Sequence, residues 1–419
     1  MTIIDQHTGY VKAIIGGRGT KTASLTLNRA TDSTRQPGST FKIVSTYAAA
    51  LNEKGMTLAT TYEDQPITYD NGAPVNNASG SFNGTTTIRT AIRNSVNTVA
   101  VQCFEDVTPE LGLKYLDNFG FTTLAHGTEA DTDANGNVYT DANLPTALGG
   151  LTYGVKNVEL CAAYAAIANG GNYIKPVYYT KILDHNGNVL IENNSVGRSV
   201  IKETTAYLLT SALEDVVQNG TGTACQLDNM AVAGKTGTTD AYNDLWFVGY
   251  TPYYTCAVWS GYDGTQIPEG DARNFHKTLW RKVMNRIHQG MEYKDFEVPD
   301  GIEQISICAD TGLLPRVGCP VTEEYFDVGT MPTEYCDQHF YEYDESQDED
   351  MEIYDANATP TPDPENPDGT DNADGSGGDG TGGDGTGGDG TGGDGTGGGD
   401  IQYPDESGGD SGNDDIYYY

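Results

Sequence analysis

Two kinds of apolar spacing divide the chain. Residues 2–5 and 10–16 are two short β-like runs around a His7, Thr8, Gly9 turn, which predicts a strand pair at the start. From Phe41 the spacing becomes helical, with Val44, Tyr47, Ala48 and Leu51 on one face, and Pro37 and Gly38 standing just before as breakers. Ile88, Ala91, Ile92, Val96 and Val99 predict a second amphipathic helix. A third is expected over 158–168, closed by Asn169, Gly170 and Gly171, and a fourth over 204–217, ending at Asn219 and Gly220. Short aromatic and β-branched runs then return at 230–239, 245–250 and 255–261, with a Thr251, Pro252 turn between the last two. A final amphipathic helix is expected over 275–288.

Strands at both ends with helices between them predict an α+β fold. In it, one mainly antiparallel sheet is completed by both ends of the folded region and flanked by helices, and the long middle insertion forms a helical lobe. The organisation expected is a body over 1–295, a small cysteine-containing appendage over 296–340 and an acidic tail over 341–419. Four tandem Gly-Gly-Asp-Gly-Thr copies run from Gly377 to Thr396 in that tail.

Composition sharpens this division. From Tyr341 onward there is no Lys or Arg, and 23 of the 60 acidic residues lie there, so most of the net charge of -37 belongs to the tail. A self-repelling, Gly-rich segment with little to bury does not offset its chain entropy, and a disordered acidic spacer is expected. The repeats differ from calcium-binding β-helix repeats in having period five and no recurring apolar position. Acidity on this scale, without clustered Lys and Arg, argues against nucleic acid as a partner. No apolar run reaches the length of a membrane span, and no signal segment opens the chain. The opening residues read as the middle of a strand pair, so an N-terminal part of the parent protein is expected to be missing.

Three short elements carry candidate chemistry. In Ser39, Thr40, Phe41, Lys42, a serine at the first turn of a helix is followed three residues on by a lysine, so both share one helix face. A serine hydroxyl needs a base to become nucleophilic, a desolvated lysine amine can serve, and the helix N-terminus favours the developing alkoxide. In Ser95, Val96, Asn97, the hydroxyl and amide converge if the segment turns into a loop; Ser95 could then relay a proton and Asn97 bind a substrate carbonyl. The plainer reading is two polar residues at a helix end. Lys235, Thr236, Gly237, Thr238 lies in a strand-like run. Its glycine suits an edge strand that a peptide approaches closely, its lysine and threonines suit a carboxylate, and a turn at Gly237 is the alternative.

In this order the three elements match the Ser-x-x-Lys, Ser-x-Asn and Lys-Thr-Gly signature of penicillin-binding proteins and serine β-lactamases. The chain resembles, more closely, the transpeptidase domain of class A, bifunctional penicillin-binding proteins. Asn28 to Thr31 with Arg35 to Gly38, the Gly149 to Val155 stretch, Ala168 to Gly171, and Asp244 to Pro252 followed by Val258, Trp259 and Gly261 all carry that resemblance. It covers about residues 2–290.

The resemblance implies a five-stranded sheet and a DD-transpeptidase. Ser39 would attack the penultimate D-alanyl carbonyl of a peptidoglycan stem peptide, with Lys42 as base, and Ser95 with Lys235 would pass a proton to the leaving D-alanine. Asn97, Thr236, Gly237 and Thr238 would bind substrate, and the backbone N–H groups of Ser39 and Thr238 would form the oxyanion hole. An amine of a neighbouring stem peptide would then resolve the acyl-enzyme into a cross-link, and β-lactams would acylate the same serine. No cofactor and no metal are implied. The parent would be anchored by a missing membrane segment and work on the outer face of the cell membrane; the family's glycosyltransferase part is also absent from the chain.

Rival activities share the same serine. A D-Ala-D-Ala carboxypeptidase uses water in place of the amine, and a serine β-lactamase needs a further deacylating Glu, with an Asn nearby, that does not stand out between the second and third elements. A non-catalytic β-lactam sensor would bind without turnover. The histidines are scattered and form no Ser-His-Asp grouping. Cys308, Cys319, Cys336 and His339 leave two readings for the appendage: a disulfide or other structural role, which is preferred because the spacings are loose and similar appendages follow class A transpeptidase domains, or a zinc site.

Overall fold

The strands expected at the two ends of the body do pair. In the computed structural model, which describes residues 1–339, β1 (Thr2–Asp5), β2 (Tyr10–Ile14), β3 (Ala233–Thr238), β4 (Asp244–Tyr250) and β5 (Thr255–Gly261) form one five-stranded sheet in the order β3-β4-β5-β1-β2. Every pairing is antiparallel, with Thr2 opposite Ala257 and Lys235 opposite Val248. The expected disordered tail with its repeats lies outside the described residues.

Strand parity explains how both faces are used. Ile4, Trp246, Val248, Tyr250 and Ala257 pack into the large core with α5 (Asn157–Ala168) and α6 (Glu203–Asn219). Ile3, Phe247, Cys256 and Val258 point the other way, against Trp280 and Met284 of α7 (Phe275–Ile287). The Phe247 and Trp280 rings meet edge to face at 4.9 Å, and the Trp280 indole N–H donates to the Cys256 carbonyl at 3.0 Å. With both faces covered, β4 is buried throughout, which is why Leu245–Tyr250 reads as a nearly unbroken apolar run. Helix α5 is apolar on every side and occupies the centre of the core. Its Asn157 ties this helix to the sheet, accepting from the Thr2 hydroxyl at 2.7 Å and donating to the Ala257 carbonyl at 3.2 Å.

The helical lobe holds α1 (Ala48–Glu53), α2 (Ile88–Asn94), α3 (Asn97–Val107) and α4 (Pro109–Asn118). Two features differ from expectation. The single amphipathic segment expected over 88–99 is broken into α2 and α3, because Ser95 takes left-handed φ and ψ of 58° and 43° and ends the first helix. Helix α4 was not foreseen, although Thr108 accepts at its N-terminus from the Leu111 N–H and Pro109 stands at its first position, both ordinary start signals. Among the described residues no helix is long and apolar enough to cross a membrane.

Beyond α7, β6 (Ile302–Cys308) and β7 (Val321–Asp327) form an antiparallel hairpin. Polar and aromatic contacts help hold it to the body. Arg89 of α2 makes two hydrogen bonds of 2.6 Å to the buried Glu324 carboxylate, the Thr204 hydroxyl donates to Asp327 at 2.7 Å, and the Tyr207 and Tyr325 rings meet at 5.5 Å. Cys308, Cys319 and Cys336 are free thiols in this structure, as are the other four cysteines.

Arg89→Ala would leave the Glu324 carboxylate buried without its bidentate partner, and such losses cost about 2 to 3 kcal/mol. The denaturation midpoint should fall accordingly; a midpoint within error of wild type would count against the docking role of this pair.

Candidate active site

Ser39 lies in a short 3-10 turn, Gly38–Thr40, that leads into α1. Gly38 has φ of +55°, a left-handed conformation that favours glycine. A side chain there would also stand 2.8 Å from the Thr238 carbonyl oxygen, so the turn carrying Ser39 lies directly beside the end of the β3 edge strand. Gly237 makes the reciprocal approach: a Cβ on it would come within 2.5 Å of the Pro37 carbonyl oxygen and 2.8 Å of a Thr40 methyl. Two missing side chains thus set the first and third elements against each other. The Trp246 indole N–H donates to the Gln36 carbonyl at 2.9 Å and the Tyr164 hydroxyl to the Thr40 carbonyl at 2.7 Å, so the turn is pinned from both sides.

Immediately after Lys42 the helix widens into a π stretch, Ile43–Tyr47. The Ser45 hydroxyl donates back to the Phe41 carbonyl at 2.8 Å, a bond that competes with regular helical pairing. Lys42 is fully buried. Its Nζ donates to the Asn97 Oδ1 at 2.6 Å and to the Ser95 carbonyl at 2.8 Å, with the Ser95 hydroxyl at 3.4 Å. The structure therefore brings Lys42 to Ser95 and Asn97, as the second element requires. Ser95 is half-buried and holds its left-handed conformation at a cost of roughly 1 kcal/mol relative to glycine, which would lack the hydroxyl.

Asn97 is committed at both ends of its amide. Oδ1 accepts from Lys42, and Nδ2 donates to the Asn76 carbonyl at 2.6 Å. In this arrangement it positions the lysine.

Lys235 is also fully buried, and its Nζ turns back to the Thr236 carbonyl at 3.3 Å. Thr236, on the opposite strand face, shares a 2.7 Å hydrogen bond with the Thr221 hydroxyl, and Thr238 is exposed at the end of the edge strand. Burial pushes the Lys235 amine down to about 7. Burial first, and the charge of Lys235 second, hold Lys42 well below the ordinary lysine range. A neutral Lys42 has two N–H groups and one lone pair. The Ser95 carbonyl and Asn97 Oδ1 take the two donors, which leaves the lone pair for a hydroxyl proton.

Asp64 and Asn77 support this cluster and had no signal in the sequence, since neither sits in a recognisable motif. The buried Asp64 carboxylate accepts from the Thr98 hydroxyl and the Asn77 amide at 2.6 Å each and from the Asn83 N–H at 2.8 Å. Asn77 in turn accepts from the Asn97 N–H at 2.8 Å, fixing the first residue of α3. Burial opposes ionisation of Asp64, but the three hydrogen-bonding partners together outweigh it, and its pKa lies below the usual carboxylate value.

The family model described as penicillin binding protein transpeptidase domain matches residues 1–287, and that described as penicillin-binding protein 1A, C-terminal domain, matches 298–341. Penicillin-binding protein 1A of Clostridium tetani is 34% identical over 361 residues, covering 81% of this chain and 44% of the relative. The Clostridium novyi protein of that name is 36% identical over 357 residues, covering 80% and 39%. The chain thus spans less than half the length of these curated relatives. Among solved structures, the PonA1 protein of Mycobacterium tuberculosis in complex with penicillin V has a TM-score of 0.61 at 26% identity, covering 71% of this chain and 80% of that one. Penicillin-binding protein 1A from Haemophilus influenzae has the same fold, with a TM-score of 0.67 at 24% identity over 80% of this chain and 54% of its own.

Because the folded pKa of Asp64 is depressed, its contribution to stability is complete above about pH 4, the unfolded-state value, and is lost as pH falls through the folded value. Asp64→Asn should flatten the acid limb of a plot of melting temperature against pH. Equal acid sensitivity in the two proteins would show that this carboxylate is not ionised in the fold.

Proposed function

Since the chain belongs to the penicillin-binding protein transpeptidase family, we propose that it is a serine DD-transpeptidase that cross-links peptidoglycan through an acyl-enzyme on Ser39. The observation that carries the proposal is the buried Lys42 amine, hydrogen-bonded to Ser95 and Asn97 one helical turn from the serine.

In the proposed reaction, Ser39 Oγ attacks the penultimate D-alanyl carbonyl of a stem peptide as its proton passes to Lys42 Nζ. The carbonyl oxygen becomes an oxyanion, held by the backbone N–H groups of Ser39 and Thr238; the close approach of Gly38 to the Thr238 backbone supports this reading. Donors of this kind are worth roughly 10²- to 10³-fold in rate. Collapse breaks the peptide C–N bond; the departing D-alanine amine takes a proton from Lys42 by way of the Ser95 hydroxyl. An amine of a second stem peptide then attacks the ester, forms the new peptide bond and returns the proton to Ser39.

Lys235, with Thr236 and Thr238, supplies charge and hydroxyls for the substrate's terminal carboxylate, and the free edge of β3 offers backbone pairing to the peptide. A β-lactam follows the first half of this course. Its ring C–N bond opens, but the leaving nitrogen stays tethered and no fragment departs. The work of such an enzyme is on the outer side of the cell membrane.

Intact-mass analysis after penicillin treatment should show the wild type gaining one drug mass and Ser39→Ala gaining none. An adduct on the alanine variant would move the nucleophile elsewhere. Supplying a D-alanyl-D-alanine peptide with an amine acceptor should then yield the transpeptidation product; hydrolysis alone would make it a carboxypeptidase, and binding without turnover a sensor.

The second-order rate of acylation reports groups of the free enzyme. Lys235 loses its charge as pH rises through about 7, so the rate should fall over that range. Lys235→Arg keeps its charge at every accessible pH and should abolish the descending limb even if its overall rate is lower. A descending limb unchanged in the arginine variant would assign it to another group.

A further inference from the structure

Cys308 ends β6, Cys319 lies in the loop before β7, and Cys336 and His339 follow the hairpin, yet one ligand atom from each lies within 4.8 Å of the other three. We propose that these four residues form a structural zinc site that folds the C-terminal appendage. The proposal is independent of the chemistry at Ser39.

The spacing fits a tetrahedral ion. Zinc–sulfur and zinc–nitrogen bonds of about 2.3 and 2.0 Å imply ligand-to-ligand edges of about 3.5 to 3.8 Å. The His339 Nδ1 stands 3.5 Å from the Cys308 sulfur and 3.3 Å from the Cys336 sulfur. The other ring nitrogen of His339, Nε2, faces the Asp310 carboxylate at 3.1 Å. A carboxylate there accepts a hydrogen bond from Nε2–H and leaves the Nδ1 lone pair facing the thiols, the orienting contact that metal-bound histidines use. The Arg316 N–H donates to the Cys319 sulfur at 3.2 Å, and the Cys319 N–H returns to the Arg316 carbonyl at 3.1 Å. That tight turn fixes the position of the Cys319 sulfur. The set of three thiols and one imidazole is soft and complete, so it suits zinc over magnesium or calcium and leaves no open position for catalysis.

A disulfide explains less. It would join two of the three sulfurs, strand the third beside them, and give His339 and Asp310 no part. The appendage also needs a cross-link of some kind. Its own buried apolar residues are Ile307 and Phe326, packed on Ala59 of the body, and the segment after the hairpin is tied back by backbone bonds from Cys336 to Leu314 and from Leu314 to Glu334, at 2.8 and 2.9 Å. A core of that size does not hold a fold of this length alone. Zinc supplies what is missing: each thiol gives its proton to solvent as its sulfur binds the ion, and the binding free energy becomes folding free energy.

The test uses the full chain, purified under reducing conditions and shown to unfold cooperatively. Elemental analysis after gel filtration should find one equivalent of zinc. Replacement by cobalt should give the thiolate-to-metal charge-transfer band and the visible absorption of a tetrahedral site, signals that the carboxylates of the acidic tail cannot produce. Cys336→Ser should lose that band, Asp310→Asn should weaken zinc binding by about 10- to 100-fold, and neither should change acylation of Ser39. Because the wild-type signals stand without the variants, a variant that fails to fold leaves the result intact. A folded, reduced wild-type chain that takes up neither zinc nor cobalt with thiolate character would overturn the proposal. So would a mass two hydrogens light that maps to a disulfide among these cysteines.

Discussion

The site rests on one buried amine. Lys42 comes from the helix that follows the serine turn, while its hydrogen-bond acceptors, Ser95 and Asn97, come from the break between two lobe helices. Burying an ammonium is costly, and the cost is lowered when the group stays neutral. The same desolvation that would destabilise a charged lysine therefore prepares a base. Lys235 adds to this from the sheet, since its charge disfavours a second charge on Lys42.

That requirement shapes the surroundings. The break at Ser95 offers its own carbonyl to Lys42 and holds a hydroxyl in a conformation that glycine would adopt with less strain. Asp64 and Asn77 hold the start of α3, so that Asn97 meets the amine rather than solvent. On the other side, the absence of side chains at Gly38 and Gly237 lets the serine turn lie against the sheet edge. Substituting either would separate the two N–H groups proposed for the oxyanion, without touching any group that moves a proton.

The hairpin appendage obeys a different physics. It has little apolar surface to bury, and its attachment to α2 and α6 is through a bidentate ion pair, a hydroxyl and a ring contact. Polar docking of this kind fixes orientation more than it adds stability. Its internal order falls to the cluster of three sulfurs and an imidazole, which belongs to the appendage and not to the catalytic cleft.

Local spacing, β-branched and aromatic runs and turn residues located the five sheet strands, the boundaries of α5, α6 and α7 to within a few residues, and an antiparallel sheet closed by both ends, because these are local consequences of which face is buried. The three motif elements were legible for a related reason: Ser39 and Lys42 are one turn apart on one helix, so their meeting needs no distant contact. What only the tertiary structure decided is everything that joins segments far apart in the chain. No local pattern states that Ser95 adopts left-handed backbone angles, that Asp64 accepts from Thr98 at the start of α3, or that Asn97 turns its amide to Lys42. Nor could loose cysteine spacings, separated by a hairpin, show that their sulfurs converge with His339. Local sequence sets the conformations a segment prefers; the shared core selects which of them bring distant polar groups within hydrogen-bonding distance.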